Sequence, residues 1–425
     1  MSLSDFRRSD WGLAIDHESY ILNSPMKSKI TSGLLLLAVA ILFVGCSEKS
    51  VNQQVKHIDL SESWKSPEKG LLSSIADDIE YIPLETTPNC LIGNHRALEV
   101  TPLKKYLLIH EHNKVMKLFD RQGNFLNTIG RIGKGPEEYI PLNKYFVDEK
   151  QEIIYLLSNN KKCLIYGFDG HLKREINLQN YADHIIVDTK GNIGLLYLAE
   201  TVLLKDSAKL QWLSPEGIEE SAIPLYPGRQ MGGGKHFSSN VQLFWHNEQI
   251  RFGEIPFDTL YTLNANSEFE PTWSFNPGEM KMPEEVLHSW TRIVTESNNY
   301  TTIYIMVESY NYFFMTGGYA NFTYKILAHK NTGITQAIAI YPNDPHSLDQ
   351  GFINDIDGGL PFWPKTVDKN LAITCLSPFE AIEKLKDQSR EKLPPQNLEL
   401  AEKYSAMVGG LGVDDNPIVM IVKLK

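Results

Sequence analysis

Two short segments carry the residue types best suited to touching a ligand. Glu137-Glu138-Tyr139 follows a glycine-rich run, Gly130-Arg131-Ile132-Gly133-Lys134-Gly135-Pro136. Asp355 and Asp357 flank Ile356 and precede Gly358-Gly359, with Phe362-Trp363-Pro364 just beyond. The glycine run invites a phosphate-loop reading, which needs Gly-Lys followed by Ser or Thr and then a helix. Here Lys134 is followed by Gly135 and Pro136, so a loop between strands is expected instead. Glu137, Glu138 and Tyr139 are then candidate ligand contacts at a channel rim. Asp355 and Asp357 echo the opening of a calcium loop, but the later Glu of an EF-hand is missing. No cofactor is expected, and calcium is the single alternative weighed. A tight turn bringing both carboxylates near a funnel mouth is the favoured reading. Trp363, like Tyr310, Tyr312, Phe313 and Phe314, is of a type that stacks on sugars or peptides, although such residues more often pack a core. His110-Glu111-His112 puts two imidazoles on one face of a strand. A metal site needs a further ligand and none is evident, so structural histidines are expected. There is no G-x-S-x-G, H-E-x-x-H or C-x-x-C pattern, and no catalytic residue is assigned.

Composition narrows the classes. The chain has 425 residues, 42% hydrophobic and 22% charged, which is ordinary for a globular protein and too apolar for disorder. Its net charge is -11 and it has no basic run, so nucleic acid is not expected as a partner. Of the four cysteines, the three beyond Cys46, namely Cys90, Cys163 and Cys375, are far apart and odd in number. They imply no disulfide framework or zinc site and read as small buried apolar residues.

The N-terminus reads as an address. Leu34 to Val44 is an uncharged apolar run, too short to span a bilayer and suited to the core of a signal peptide. Lys27 and Lys29 precede it, and Gly45-Cys46 closes it. Leu42-Phe43-Val44-Gly45-Cys46 resembles a bacterial lipobox, which implies acylation of Cys46 and a lipid bilayer as partner. Met26 is the expected start, because residues 1–25 carry charges unusual ahead of a signal peptide. Residues 1–45 are thus read as start extension plus signal peptide, and 46–78 as a polar tether.

The elements that must position the candidate residues are short strands. Runs such as Ile153 to Leu157, Lys162 to Phe168 and Val115 to Phe119 are rich in β-branched and aromatic residues and bounded by turns. Turns centred on Gly123, Gly170, Gly217 and Ala265 recur about every 47 residues. Later ones fall at Asn331-Thr332-Gly333 and near Asp368-Lys369-Asn370. A strand-built period of this length predicts propeller blades of four strands each. Helical insertions are expected after Pro283, after Ser377 (a capping box with Glu380) and over 397–408. Subtracting leader, tether and insertions leaves room for about six repeats. The expected fold is therefore all-β, a six-bladed β-propeller over 79–425. Pairing of Ile418 to Val422 with Ile79 to Leu84 would close the ring and protect both edges.

The chain resembles the six-bladed β-propeller lipoproteins common in Bacteroides-type bacteria. The likeness rests on Tyr81-Ile82-Pro83-Leu84-Glu85-Thr86, on Phe119 to Phe125 running into Ile129 to Tyr139, on Asn354 to Gly359, and on Asp415-Asn416-Pro417-Ile418. Glu137 stands where that family usually has Gly. The resemblance implies the fold and a place in the cell envelope, and it supplies no catalytic residues. The expected role is a membrane-anchored, extracytoplasmic binding module for a peptide, glycan or partner protein. The alternative is an enzyme of metal-dependent lactonase or lyase type with its site in the central channel.

Overall fold

The structure is a computed structural model. It describes residues 54–65, 68–93, 98–135, 137–159, 161–198, 208–225, 241–254, 258–287, 292, 295–320, 322–342, 351–386 and 393–425. The expected leader, Cys46 and the first residues of the expected tether lie outside these. Gln54 to Lys425 forms one compact unit.

Six small antiparallel sheets make the ring of a six-bladed propeller. Blade one holds Leu98–Pro102, Tyr106–Glu111, Met116–Asp120 and Phe125–Ile129, from the channel outward. Blade two holds Pro141–Asp148, Ile153–Ser158, Lys162–Gly167 and Leu172–Asn177; blade three His184–Val187, Ile193–Tyr197, Lys209–Leu213 and Glu219–Pro224. Blade four holds Val241–His246, Gln249–Glu254, Thr259–Leu263 and Phe269–Asn276; blade five Thr302–Glu308, Tyr312–Tyr319, Phe322–His329 and Thr335–Pro342. Blade six takes Thr366–Asp368, Leu371–Leu376 and Ile418–Leu424 from the C-terminal end of the chain, and its outermost strand, Ala76–Pro83, from the N-terminal end. The expected closure is present: Ile79 pairs with Val422 and Tyr81 with Met420.

Each blade is sandwiched between two others, so both of its faces are buried and its strands alternate between two cores. Ile154, Leu156 and Leu164 pack toward blade one, whereas Tyr155, Leu157 and Ile165 pack toward blade three. The same division recurs around the ring. This is why the strands read as near-continuous apolar runs rather than clean alternations. Cys90, Cys163 and Cys375 are buried thiols, as their isolation in the sequence suggested.

Three of the repeating turns share one device. The residue opening the turn accepts amide hydrogen bonds from two and four residues on: Asp120 from Gln122 and Asn124, Asn264 from Asn266 and Glu268, with Ser214 in the same role for Glu216 and Ile218. At Gly170 the chain has φ +81, and a Cβ there would collide with the carbonyl oxygen of Thr128 on blade one. Gly170→Ala is expected to cost about 3 kcal/mol, the sum of left-handed strain and overpacking. Urea denaturation measures it, and a loss below about 1 kcal/mol would contradict the fit.

Two expectations are corrected. Residues 46–78 are not a tether throughout. Lys56–Asp59 adds to blade four as a fifth strand, parallel to Phe269–Asn276, and Ile58, Leu60, Trp64 and Leu72 are buried. Those apolar side chains are spaced too irregularly to show a period, which concealed them. The turn at Asp368-Lys369-Asn370 is not the sixth repeat of the series. It joins the first and second strands of blade six, whereas the others join third to fourth. Blade six has no third-to-fourth turn, because its fourth strand arrives from the other end of the chain.

The expected helices are Pro378–Lys386, with the Ser377 hydroxyl accepting from the Glu380 amide, and Leu398–Gly409, capped by the Asn397 side chain. After Pro283, Glu284–Leu287 is helical; most of the remainder of that expected helix lies outside the described residues.

Candidate functional site

A four-stranded meander sends its first-to-second and third-to-fourth connections to one end. Its second-to-third connections and the links between blades go to the other. Gly130 to Ile140, the 352–365 segment and the two C-terminal helices all belong to that second end. Topology therefore places Glu137, Glu138, Tyr139, Asp355, Asp357 and Trp363 on one face of the ring.

On that face the glycine-rich loop closes on itself. Arg131–Ile132 pairs in parallel with Glu138–Tyr139, and the Gly133 amide donates to the Tyr139 carbonyl at 3.0 Å. Glu138 accepts from the Gly135 amide at 2.7 Å, and a side chain at Gly133 would run into the same carboxylate. Glu138 thus staples the loop. Tyr139 is buried, and its hydroxyl accepts from the Met116 amide at 3.4 Å. Burial pushes the phenol up to about 12, outweighing that hydrogen bond. Glu137 is exposed and takes φ +63, a backbone conformation that favours glycine. Tyr166 donates to the Glu137 carbonyl at 3.0 Å and holds the turn.

Asp355, Asp357 and Trp363 do not face an open funnel. Asp355 accepts from the Ser73 amide (2.9 Å), the Ser73 hydroxyl (2.6 Å) and the Gln396 amide group (2.7 Å). Asp357 accepts from Tyr81 Oη (2.8 Å), Asn354 Nδ2 (2.7 Å) and the Gly359 amide (2.8 Å). Both residues are buried. They tie the incoming N-terminal segment to the last inter-blade link, and burial raises the Asp357 carboxyl despite these donors. Trp363 stacks on Phe352 with centroids 5.9 Å apart and meets Phe314 edge-on, inside the core. The favoured mouth position is thus overturned, because a buried carboxylate is stable only when its lone pairs are satisfied internally.

The open site lies over blade one. A cleft of about 550 Å³ is lined by Leu91, Gly93, Glu111, Lys114, Val115, Lys117, Thr128, Gly130, Arg131 and Ile132. Four parts of the chain build it: the link from blade six, the second-to-third connection of blade one, its outer strands, and the start of the glycine loop. Leu91 and Ile132 are exposed apolar side chains, 55% and 45% accessible. Glu111 is committed to the Gly93 amide at 3.2 Å. Lys114, Lys117 and Arg131 make no side-chain hydrogen bond or ion pair among the described residues. Lys117 is 8% accessible, and burial lowers its ammonium pKa against the opposing pull of Glu111. The sequence signal for this site was a lysine in the middle of Met116-Lys117-Leu118-Phe119, a strand otherwise buried.

The channel carries a second polar group. Glu99 Oε2 lies 3.7 Å from His110 Nδ1, and Lys144 Nζ lies 3.4 Å from His184 Nε2. Burial alone would raise the Glu99 carboxyl, but His110, Lys144 and Tyr145 outweigh it and hold it below the usual range. His110 is buried edge-on against Tyr145 at 5.2 Å, as a structural histidine. Among the described residues no three His, Cys, Asp or Glu side chains converge as a metal site requires.

A third cluster is buried between blades four and five. Lys330 donates to Glu308 Oε1 (2.7 Å), the Ser309 carbonyl (2.9 Å) and His246 Nε2 (3.3 Å). Arg251 Nε lies 3.5 Å from Glu308 Oε2 and its Nη1 donates to Thr262 and Thr272. Burial, then Lys330 and Arg251, hold the His246 imidazole down at about 4, so its 3.4 Å approach to Glu308 is not an ion pair at neutral pH. These groups fasten one blade to the next.

Comparison with known proteins agrees with the fold and leaves the chemistry open. No curated protein matches the chain. A solved structure titled a putative exported protein from Bacteroides fragilis superposes with a TM-score of 0.63 at 19% identity, covering 87% of this chain and 99% of its own. A protein of unknown function from Bacteroides caccae gives a TM-score of 0.29 at 12% identity, over 54% of this chain and 71% of its own. Residues 55–423 match a family described as a domain of unknown function, DUF4934, and with nearly all of the folded ring inside that match, the chain belongs to this family.

Proposed function

We propose that this protein is an extracytoplasmic binding module, held at a bilayer by an acylated Cys46, whose ligand docks in the cleft over blade one. The observation that carries this reading is the charge of that cleft, whose three cations make no side-chain hydrogen bond or ion pair among the described residues. Lys117 is a largely buried residue whose side chain lines the open cleft, and a partly desolvated charge of this kind is completed by a ligand. The lipobox-like Leu42 to Cys46 supports the anchor, and the description of the Bacteroides fragilis neighbour as an exported protein agrees with export. Two measurements test the proposal. Cys46→Ala is expected to move the chain from the membrane to the soluble fraction; continued membrane association would remove the anchor. The immobilised full chain is expected to retain envelope components that Arg131→Gln does not, and equal retention would remove the cleft as the site.

A further inference from the structure

We infer that the cleft over blade one takes an acidic peptide segment in which carboxylate side chains alternate with aliphatic ones. This rests on the reading of the cleft as a binding site and names its ligand class. Three cations, Lys114, Lys117 and Arg131, stand against one carboxylate already held by the Gly93 amide. The site is therefore locally cationic on a chain of net charge -11, and an anion is drawn to it against the background field. Arg131 offers a fork that matches a carboxylate, and Lys117 offers a desolvated point charge.

The apolar half of the lining separates ligand classes. Leu91, Val115 and Ile132 are aliphatic, and none of the described lining residues is aromatic. Sugar rings are commonly held by stacking on aromatics, so an acidic glycan fits poorly. Three aliphatic side chains cover too little surface for an acyl tail. An extended peptide projects alternate side chains to opposite sides, so acidic positions can meet the cations while aliphatic ones meet Leu91 and Ile132.

Isothermal titration calorimetry of the full chain in mild detergent tests this with a capped hexapeptide alternating leucine and glutamate. Binding is expected, with affinity falling at least tenfold for the leucine–glutamine counterpart and for Lys117→Met or Arg131→Gln. Arg131 is exposed, so Arg131→Gln keeps the test valid if Lys117→Met disturbs the fold. Equal binding of the glutamine peptide, or binding unaffected by both substitutions, overturns the inference. An acidic oligosaccharide that binds where the hexapeptide does not would overturn the peptide class and leave the cleft as a site. Failure of both ligands, together with unchanged envelope retention by Arg131→Gln, would overturn the two readings together.

Discussion

Glu308→Ala is expected to lower the free energy of unfolding by about 3–5 kcal/mol, the usual cost of stranding a buried charge by removing its partner. The Glu308 side chain is fully buried, and Lys330 and Arg251 beside it are each 9% accessible. Without the carboxylate, two cations remain in a core that also contains Trp273 and Phe313. The double variant Glu308→Gln, Lys330→Met is expected to recover part of the loss, because it removes both members of the closest pair. Chemical denaturation of the three proteins measures these values, and a Glu308→Ala loss under about 1 kcal/mol would show that water or relaxation screens the cluster. The same cluster sets a pH dependence. His246 has its folded-state pKa depressed to about 4, against 6.5 for the ordinary group. The unfolded chain therefore binds the extra proton first as pH falls. Stability from this residue is complete above about pH 6.5 and is lost as pH falls toward 4. His246→Gln is expected to flatten the melting temperature over that window, and an unchanged slope would assign the pH dependence elsewhere.

A chain beginning at Leu84 is expected not to fold, whereas one beginning at Gln54 melts as the full chain does. Removing the residues before Leu84 deletes the outermost strand of blade six and exposes the whole edge of Ile418–Leu424, whose residues are buried in the closed ring except Lys423. An exposed apolar edge is a template for aggregation, and the cores holding Ile79 and Ile82 lose one wall. The segment before it matters as well. Trp64 packs edge-on against Tyr324 at 4.9 Å, and Ser73 supplies two of the donors that neutralise Asp355. A cooperative melt of the Leu84 chain close to that of the full chain would show that the ring closes without its N-terminal strand.

The legible part of this protein was whatever local chemistry determines. Turn residues impose their own backbone geometry, so Asp120 to Gly123 and its recurrences announced strand pairs and their period wherever they fell. Capping at Ser377 and Asn397 is equally local, and both helices stand where their caps put them. The carboxylates of Asp355 and Asp357 looked available because a sequence shows residue types and not neighbours. Their donors, Ser73, Tyr81 and Gln396, come from distant parts of the chain, and a hydrogen bond across 276 residues leaves no trace in spacing.

The sequence by itself determined the strand period, the blade count and the helix caps, which follow from propensity and turn geometry along contiguous stretches, and the closing pair, which follows from the need to cover two free strand edges. Only the tertiary structure decided which charges are satisfied. It paired Glu308 with Lys330, sealed the Asp357 carboxylate under Tyr81, stapled Glu138 to the Gly135 amide, and left Lys117 above blade one without a hydrogen bond or ion pair among the described residues. The reason is electrostatic. The cost of a charge depends on everything within a few ångströms of it, and in a ring closed by its two ends those neighbours are drawn from the whole length of the chain.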